Sequence, residues 1–536
     1  MKLIFVTGWT VSGLWKWIST ASIAKLLQNS WLNIWVVKMD PYLQVDAGTM
    51  SPYEHWEVFV TKDGWETDLD LWNYERFLWK SLSKQSNITT WKVYQNVINK
   101  ERAWEYLWQT VQIIPHITNE IKDNISLVAK EHDITIIEVW WTVWDIESLP
   151  FLEAIRQFKR DLWQENVFYV HVALLLKLDF SWEIKTKPIQ HTIVKLREYW
   201  IQSNMLICRT SEDISSKLID KISMLCDIDS ENIIEWRDVS TIYEVPKKLK
   251  DQDVDKKILK YFWYKDNISK MDDWNELVSW ISNPIKNITI WIVWKYTEFQ
   301  DTYKSITEAI IHAWARNAIK VNINWIDSEL LQNDSYESKL KRFVEEEKLN
   351  AILIPGWFGP RWIEWMINAV TFVRKFNVPF LWICLWMQVA VIEYARNVCN
   401  LIKAGSTEFE NKLESKVIDI MNDQKNIKNK WWTMRLWAYD AILKKWSLAS
   451  KLYGTTNISE RHRHRYEVNP NYHSTLEKWW LVLSWKSPDD KLVEFIELEN
   501  HPYFIATQAH PEFKSSLENP HPLFLWLIKA AIQFEK

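Results

Sequence analysis

The chain of 536 residues is long enough for about two to four domains with hydrophobic cores of full size. Its formal net charge is −4, so no overall positive field favours nucleic acid as a partner. Its four cysteines are far apart and include no CxxC pair, which favours a reducing compartment and argues against a zinc site.

The sequence indicates neither a signal peptide nor a membrane-spanning segment. Residues 1–8 have the pattern of a first β-strand. The longest apolar run lies near Cys384; it is too short to span a bilayer and is interrupted by Gln388 and Glu393. We therefore expect a cytoplasmic protein without a membrane partner.

Tryptophan and glycine occur in unusual numbers. There are 39 tryptophans and 8 glycines, whereas average usage puts glycine at about 7% of residues. Many tryptophans stand where a turn or a phosphate loop needs a residue without a side chain. We hypothesise that most stand for glycines, for example through a codon that the source organism reads as glycine, whereas Trp274 and Trp325 look like true tryptophans. The positions concerned include Trp9, Trp15, Trp17, Trp140, Trp141, Trp357, Trp382 and Trp386.

The first predicted strand, residues 2–8, leads into a loop and a helix that runs to about Leu27. With glycine at the tryptophan positions, this segment has the form of a strand, a phosphate loop and a helix. Lys16 would then reach the phosphates, and the helix N-terminus would add its dipole. The spacing is longer than in the common GxxxxGK[ST] pattern, so an ordinary turn with a surface lysine is the alternative.

Acidic side chains accompany the strands that follow. Lys38 and Asp40 end an apolar run, Asp68–Asp70 is a short acidic segment, and Glu138 lies at the tip of the buried strand Ile134–Val139. A carboxylate at such a tip, beside a phosphate loop, suits Mg²⁺ held between protein and triphosphate. Without the phosphate loop, solvated loop carboxylates would be the simpler interpretation.

Strands at Val167–Leu176 and Asn204–Cys208 continue the alternation with helices, which predicts a mostly parallel sheet. Between them, the two lysines of Lys185–His191 could clamp an anionic ligand, and Lys221 follows on a helix. Residues 247–287 are charged and irregularly patterned, so we predict a helical end piece and a linker there.

A second α/β series starts at Ile288–Val293, and a later strand leads into a glycine-containing loop after Pro355 that suits an oxyanion hole. Another apolar strand ends at Cys384 and is followed by a helix, which would expose a nucleophile on a strained bend. His510 and Glu512 follow a further strand, so the three side chains make a plausible triad of thiolate, base and orienting carboxylate. A buried cysteine with a surface histidine is the alternative.

The segment Arg461–Arg465 is basic. As a nucleic-acid patch it is short and isolated, which argues against that interpretation. Arg465 suits a small carboxylate substrate better, because arginine recognises carboxylates through two hydrogen bonds.

These blocks together resemble CTP synthase over essentially the whole chain. The resemblance implies an α/β fold with two parallel-sheet domains: a P-loop amidoligase domain at residues 1–265, a linker at 266–287 and a class I glutamine amidotransferase domain at 288–536. It implies CTP formation from UTP, ATP and glutamine, with Mg²⁺, activation by GTP and a homotetramer. The matching blocks are Phe5–Gly8, Lys38–Tyr42, Asp46–Pro52, Asp68–Leu71, Tyr74–Phe77, Lys187–His191, Arg461–Glu467 and His510–Phe513.

The resemblance also implies roles for individual positions. Cys384, His510 and Glu512 match the triad, and Asp70 and Glu138 match Mg²⁺ ligands. Arg361 lies in the loop linked to GTP activation. The ATP positions are Gly13, Leu14, Trp15, Lys16, Trp17, Ile18, Lys38, Asp40 and Asp70. The pyrimidine-nucleotide positions are Ser12, Asp145, Ile146, Glu147, Lys185, Thr186, Lys187, Pro188, Ile189, Gln190 and Lys221. The glutamine positions are Trp357, Leu385, Trp386, Met387, Gln388, Glu408 and Arg465.

The implied mechanism begins when ATP phosphorylates the uracil O4 of UTP, while Cys384 releases ammonia from glutamine. Ammonia passing inside the protein then displaces the phosphate. The departures from the family pattern all concern glycine. Taken literally, indoles would fill the phosphate loop and the turn at the cysteine, so we predict that the literal chain folds poorly and lacks both activities.

Two other interpretations remain open. One is a related amidoligase that acts on cobalamin precursors, against which the Lys185–His191 loop and Asp145–Glu147 argue. The other is a catalytically dead scaffold or filament subunit in which the tryptophans are genuine. Retention of every triad residue, and of Lys16, Asp70 and Glu138, weighs against the second interpretation.

Overall fold

The computed structural model describes most of the chain, and every structural statement below concerns the described residues. These are residues 1–9, 16–45, 47–50, 57–177, 184–264, 269–294, 303–327, 336–356, 363–410, 412–420, 435–487 and 492–534.

The chain divides into two compact units. The first consists of residues 1–51 and 67–278, and the second of residues 52–66 and 279–536. The described residues 57–66 therefore pack with the C-terminal unit although they lie early in the sequence. The domain boundaries that we predicted from the sequence stay a prediction.

The first unit is built on a seven-stranded sheet in which every described pairing is parallel. Its strands are rich in β-branched and aromatic residues and almost wholly buried, as expected for a sheet covered on both faces. In spatial order they are Ile233–Arg237, Met205–Thr210, Val167–Leu174, Leu3–Gly8, Ile134–Val139, Ile34–Asp40 and Asn87–Thr89. The helices are Lys16–Gln28, Leu69–Leu78, Thr90–Arg102, Thr118–Ala129, Leu149–Asp161, Lys187–Glu198, Ser216–Cys226, Val245–Lys250 and Val254–Tyr261.

The second unit has a nine-stranded sheet with a parallel half and an antiparallel half. In spatial order its strands are Ile319–Asp327, Lys286–Trp294, Leu349–Ile354, Phe380–Ile383, Phe504–Thr507, Val493–Leu498, Leu481–Lys486, Ala438–Leu443 and Asn457–Arg461. A three-stranded sheet adds Ala404–Ser406, Ser415–Ile420 and Tyr466–Val468. The helices are Lys304–Asn317, Tyr336–Glu346, Ile363–Phe376, Leu385–Asn397, Leu448–Tyr453, His473–Lys478 and Pro522–Phe534, and the helix Asp272–Ser282 lies where the two units divide.

The predicted fold class is confirmed, because both units are α/β and each contains a parallel sheet. Residues 247–287, predicted as a helical end piece and linker, contain most of three helices. None of the helices in the described ranges has the length and apolar character needed to cross a membrane.

Candidate active sites

In the second unit, Cys384 lies between the strand Phe380–Ile383 and the helix Leu385–Asn397. Its backbone has φ 60° and ψ −123°, a conformation that a residue with a Cβ rarely adopts. Its N–H donates to the carbonyl of Thr507 at 2.7 Å, which ties the bend to the neighbouring strand. The structure thus places this side chain on the strained strand-to-helix turn expected of a nucleophile.

His510 and Glu512 lie beside this bend. The Nδ1 of His510 is 2.6 Å from Oε1 of Glu512, so the carboxylate fixes the orientation of the ring. The side chain of His510 also interacts with that of Cys384. A Cβ on Gly356 would lie 3.0 Å from Cε1 of His510 and 3.1 Å from Cβ of Cys384, so both side chains converge on this glycine. The three predicted triad residues are therefore brought together.

The electrostatics of this site favour a charged imidazole. Burial alone would lower the pKa of His510, but the neighbouring Glu512 and Cys384 raise it to about 10. An imidazolium beside a sulfur atom is the arrangement that stabilises the thiolate form of a nucleophilic cysteine.

We expect Glu512→Gln to lower the rate of glutamine hydrolysis by about 10²-fold or more, because the ring loses its orienting charge. Without the carboxylate the pKa of His510 falls from about 10, so the imidazolium is lost at lower pH. The alkaline limb of the profile of kcat/KM against pH should therefore move to lower pH, which steady-state rates between pH 6 and 11 would reveal. An unchanged alkaline limb would contradict this role for Glu512.

Four of the residues predicted to bind glutamine, Leu385–Gln388, lie in the helix that follows this bend. Leu385 and Met387 lie buried in the first turn of the helix after Cys384, and Trp386 lies in that helix. Gln388 donates from Nε2 to the carbonyl of Tyr466 at 2.9 Å and to Oε1 of Gln508 at 3.0 Å. Burial raises the pKa of Glu408 to about 7, and the nearby charge of Arg465 opposes this shift. Trp357 and Arg361 lie outside the described residues.

Two groups near the sulfur were not predicted. Gln508 Nε2 lies 3.8 Å from Sγ of Cys384, and the sulfur lies 3.7 Å from the carbonyl oxygen of Arg463. Gln508 precedes His510 by two positions, so its closeness to the histidine motif could have indicated that it lies near the cysteine. For Arg463 the sequence offered only a basic cluster.

In the first unit, Lys38 is fully buried and surrounded by carboxylates. Its Nζ lies 3.3 Å from Asp40 and 2.6 Å from Asp70, and it also pairs with Asp68. Burial would lower the pKa of Lys38, but these carboxylates raise it well above its ordinary value. Asp68 contacts Lys38 directly, a role that the sequence analysis did not assign.

The sheet register brings Glu138 next to this lysine, because Lys38 and Glu138 are paired on adjacent parallel strands. Glu138 is 1% exposed, and the hydroxyl of Tyr74 donates to its Oε2 at 2.5 Å. Burial, opposed by Lys38 and reinforced by Asp68 and Glu138, raises the pKa of Asp70 to about 7. Crowded carboxylates of this kind fit a divalent cation, since Mg²⁺ prefers carboxylate oxygen ligands and would relieve their repulsion.

Lys16 begins the helix Lys16–Gln28. Its Nζ donates to the carbonyl of position 141 at 2.8 Å, and its side chain passes close to Gly8, where an added Cβ would lie 2.5 Å from Cδ of Lys16. Burial lowers the pKa of Lys16, and the charge of Glu138 opposes this shift. Trp17 and Ile18 follow in the helix, whereas Ser12, Gly13, Leu14 and Trp15 lie outside the described residues.

Apart from Ser12, which lies outside the described residues, the predicted pyrimidine-nucleotide residues occupy three separate segments. Asp145 accepts from the N–H of Thr142 at 2.7 Å in the loop after strand Ile134–Val139, where Ile146 is 75% exposed and Glu147 is exposed. Lys185 and Thr186 lead into the helix that contains Lys187, Pro188, Ile189 and Gln190. Lys221 is exposed on the helix Ser216–Cys226.

Comparison with known proteins supports one family over the whole chain. A family model described as CTP synthase N-terminus matches residues 2–263, and one described as Glutamine amidotransferase class-I matches residues 298–530. The chain is 55% identical to a CTP synthase of Methanococcus maripaludis, over 99% of this chain and 100% of the relative. The chain belongs to the CTP synthase family. Its members' glutamine-dependent ligase activity, which converts UTP to CTP in pyrimidine biosynthesis, is thereby assigned to it.

Other CTP synthases are similar to this chain over nearly their full length. The relative from Methanocaldococcus jannaschii is 53% identical over 99% of this chain and 98% of its own length. The relative from Carboxydothermus hydrogenoformans is 48% identical over 100% of this chain and 99% of its own length. This full-length similarity argues against the predicted alternative of an amidoligase for cobalamin precursors.

Some of the described tryptophans of this family member adopt a backbone typical of glycine. Nine of them have φ between 46° and 74°: Trp31, Trp79, Trp104, Trp141, Trp163, Trp200, Trp263, Trp446 and Trp480. All but Trp141 are among the exposed large hydrophobic residues, at 60–86% exposure. By contrast, Trp274 is 1% exposed and donates its indole N–H to the carbonyl of Tyr243 at 2.8 Å, as a true core tryptophan does.

Proposed function

We propose that this chain makes CTP by coupling two half-reactions: glutamine hydrolysis at Cys384 and ATP-dependent activation of UTP around Lys38. The observation that carries the proposal is that each unit assembles the polar groups that its half-reaction requires. The cysteine elbow with its histidine–glutamate pair suits amide hydrolysis, and the lysine–carboxylate cluster suits a metal-bound triphosphate.

In the glutaminase half-reaction, the sulfur of Cys384 attacks the side-chain carbonyl of glutamine. His510 gives its proton to the departing nitrogen, so ammonia leaves and a glutamyl thioester forms. Water then attacks the thioester, and His510 accepts a proton from that water as the carbon–sulfur bond breaks. Arg465 and Glu408 are proposed to hold the carboxylate and the ammonium of glutamine, with Leu385–Gln388 lining the pocket.

In the synthase half-reaction, Lys16 and Lys38 are proposed to hold ATP phosphates. Asp70 and Glu138 would hold Mg²⁺, which when bound neutralises charge that develops on the transferred phosphoryl group. Asp145–Glu147, Lys185–Gln190 and Lys221 are proposed to bind UTP. Asp68 and Asp40 keep Lys38 charged and fix its position.

Regulation and assembly are also part of the proposal. GTP is expected to activate the glutamine-dependent reaction, with Arg361 in the responsive loop, and the active form is expected to be a homotetramer. Both expectations rest on family membership. A cytoplasmic location stays a prediction from the sequence.

The proposal is tested with the purified full-length protein. UTP, ATP, Mg²⁺ and glutamine should yield CTP, measured by ion-exchange chromatography, and omission of UTP should abolish both CTP and ATP consumption. EDTA should stop the reaction, GTP should accelerate only the glutamine-dependent rate, and light scattering should give four subunits with nucleotides bound. ATP consumption that does not depend on UTP would contradict the proposed substrate.

A further inference from the structure

A segment from the N-terminal part of the sequence is built into the glutaminase unit. Residues 57–66, here called the strap, lie within the region that matches the CTP synthase N-terminus model, yet they pack with the second unit. The strap contains the short strand Phe59–Val60 and a turn in which the N–H of Gly64 donates to the carbonyl of Thr61 at 3.1 Å. Its contacts lead directly to the residues around the histidine of the triad.

Both ends of the strap are anchored by polar contacts. Glu57 accepts from the N–H and the hydroxyl of Ser305, at 3.0 and 2.6 Å, at the start of the helix Lys304–Asn317. Glu66 is 3% exposed and accepts from Nε of Arg463 at 2.7 Å. Between them, the carbonyl of Lys62 accepts from the N–H of Ala438 at 3.2 Å. These contacts fix the strap to three segments of the glutaminase unit: two elements and the loop that contains Arg463.

Phe59 is one of the side chains through which the strap reaches the triad; the charge of Glu57 also interacts with Glu512 and His510. Phe59 is fully buried, and its ring meets the ring of Phe513 edge to face at a centroid distance of 5.3 Å. Phe513 in turn stacks on the imidazole of His510, at 5.2 Å with an interplanar angle of 14°. The guanidinium of Arg461 lies 4.8 Å from the Phe59 centroid, and the carbonyl of Arg461 accepts from the N–H of His510 at 2.8 Å.

Phe59 thus contacts the two residues that hold His510. One supports the imidazole ring and the other holds its backbone, so a smaller side chain at position 59 would loosen both supports. Even a small displacement of the imidazole should lower the rate of glutamine hydrolysis steeply, because proton transfer depends on the alignment of the reacting atoms.

We propose that the strap is a positioning element for glutamine hydrolysis, in which Phe59 keeps the imidazole of His510 aligned by bracing Phe513 and Arg461. The proposal rests on the proposed role of His510 as the acid and base of that reaction. It makes a segment of the N-terminal sequence part of the machinery of the C-terminal half-reaction. Phe59 itself touches neither Cys384 nor His510 in the contacts described, so it acts through its two neighbours.

The test is the substitution Phe59→Leu in the full-length protein. We expect kcat for glutamine hydrolysis to fall by about 10- to 100-fold, since the imidazole is no longer held in line. The KM for glutamine should stay within about two-fold, because the proposed glutamine-binding groups lie on other elements. CTP formation from ammonium chloride should be retained, and Phe59→Tyr should restore most of the glutaminase rate.

A double-mutant cycle separates positioning from general loss of structure. If Phe59 acts through Phe513, then Phe59→Leu should lower kcat little further in a Phe513→Leu background. Phe495→Leu is the matched control: Phe495 is also fully buried in the second unit, but it packs on Trp485 and Tyr453. It should lower Tm comparably and leave kcat for glutamine hydrolysis within about two-fold.

Three outcomes would overturn the inference. The first is that Phe59→Leu, like Phe495→Leu, leaves kcat for glutamine hydrolysis nearly unchanged; the second is that Phe59→Leu lowers ammonia-dependent and glutamine-dependent CTP synthesis equally. The third is that the fold-reductions in kcat of Phe59→Leu and Phe513→Leu multiply in the double mutant. Failure of the proposed function looks different. In that case the unsubstituted protein would hydrolyse no glutamine, or Cys384→Ala would hydrolyse it normally.

Discussion

Replacing Cys384 by alanine should abolish CTP formation from glutamine and leave CTP formation from ammonium chloride intact. We expect the glutamine-dependent rate to fall by about 10⁴-fold or more, because no other group can form the thioester. The ammonia-dependent rate survives because the residues proposed to bind ATP and UTP lie in the first unit. Chromatography of CTP formed from each nitrogen source, at saturating UTP and ATP, measures both rates.

The backbone around Cys384 supports its assignment as the nucleophile. Cys384 is held at φ 60°, a strained conformation that the structure maintains at the turn before the helix. Cys399→Ala is the matched control, since Cys399 is also a buried free cysteine of the second unit but is not among the proposed catalytic residues. Loss of both activities in Cys384→Ala, or survival of the glutamine-dependent one, would refute the assigned role.

The protein isolated from its native source should have glycine at positions 382 and 386, where the sequence has tryptophan. The tryptic peptide Phe376–Arg396 contains both positions, so its mass decides the question. Trp382 is fully buried, and its indole N–H has no partner among the described residues, which costs about 1–3 kcal/mol. The peptide Val321–Lys339 is the internal control, because we expect its Trp325 to be genuine.

The energetic cost of the tryptophans with positive φ supports the expectation that glycine occupies such positions. A residue with a Cβ loses about 1–2 kcal/mol in this conformation, and nine tryptophans adopt it. The summed cost is about 9–18 kcal/mol, which is comparable with the whole stability of a typical protein, about 5–15 kcal/mol. Glycine carries no such cost and leaves no large indole exposed to water.

A chain synthesised with all 39 tryptophans should therefore fold poorly and form little CTP. The version with glycine at the positions that match family glycines, including 9, 15, 17, 140, 141, 382 and 386, should be soluble and active in the same assay. Full glutamine-dependent activity of the all-tryptophan chain would contradict us. Two tryptophans in the native peptide would instead favour the inactive scaffold.

The sequence alone determined those features that depend only on residues close together in the chain. A strand that ends at Cys384 and a histidine two residues before Glu512 are local patterns, and the structure brings these three side chains together. Parallel sheets were also predictable, because the alternation of buried strands with helices is visible in the local hydrophobic pattern. Of the tryptophans that the sequence analysis named as glycine positions, Trp141 has a positive φ in the structure, and the glycine hypothesis stays a prediction.

The tertiary structure decided which distant segments meet. Asp68 contacts Lys38 across 30 positions, Gln508 approaches the sulfur of Cys384 across 124, and Glu66 pairs with Arg463 across 397. No local pattern encodes such pairs, because side-chain periodicity specifies a buried face but not its partner. The packing of the strap in the glutaminase unit is decided in the same way, because the surface that it contacts is formed by residues far apart in the chain.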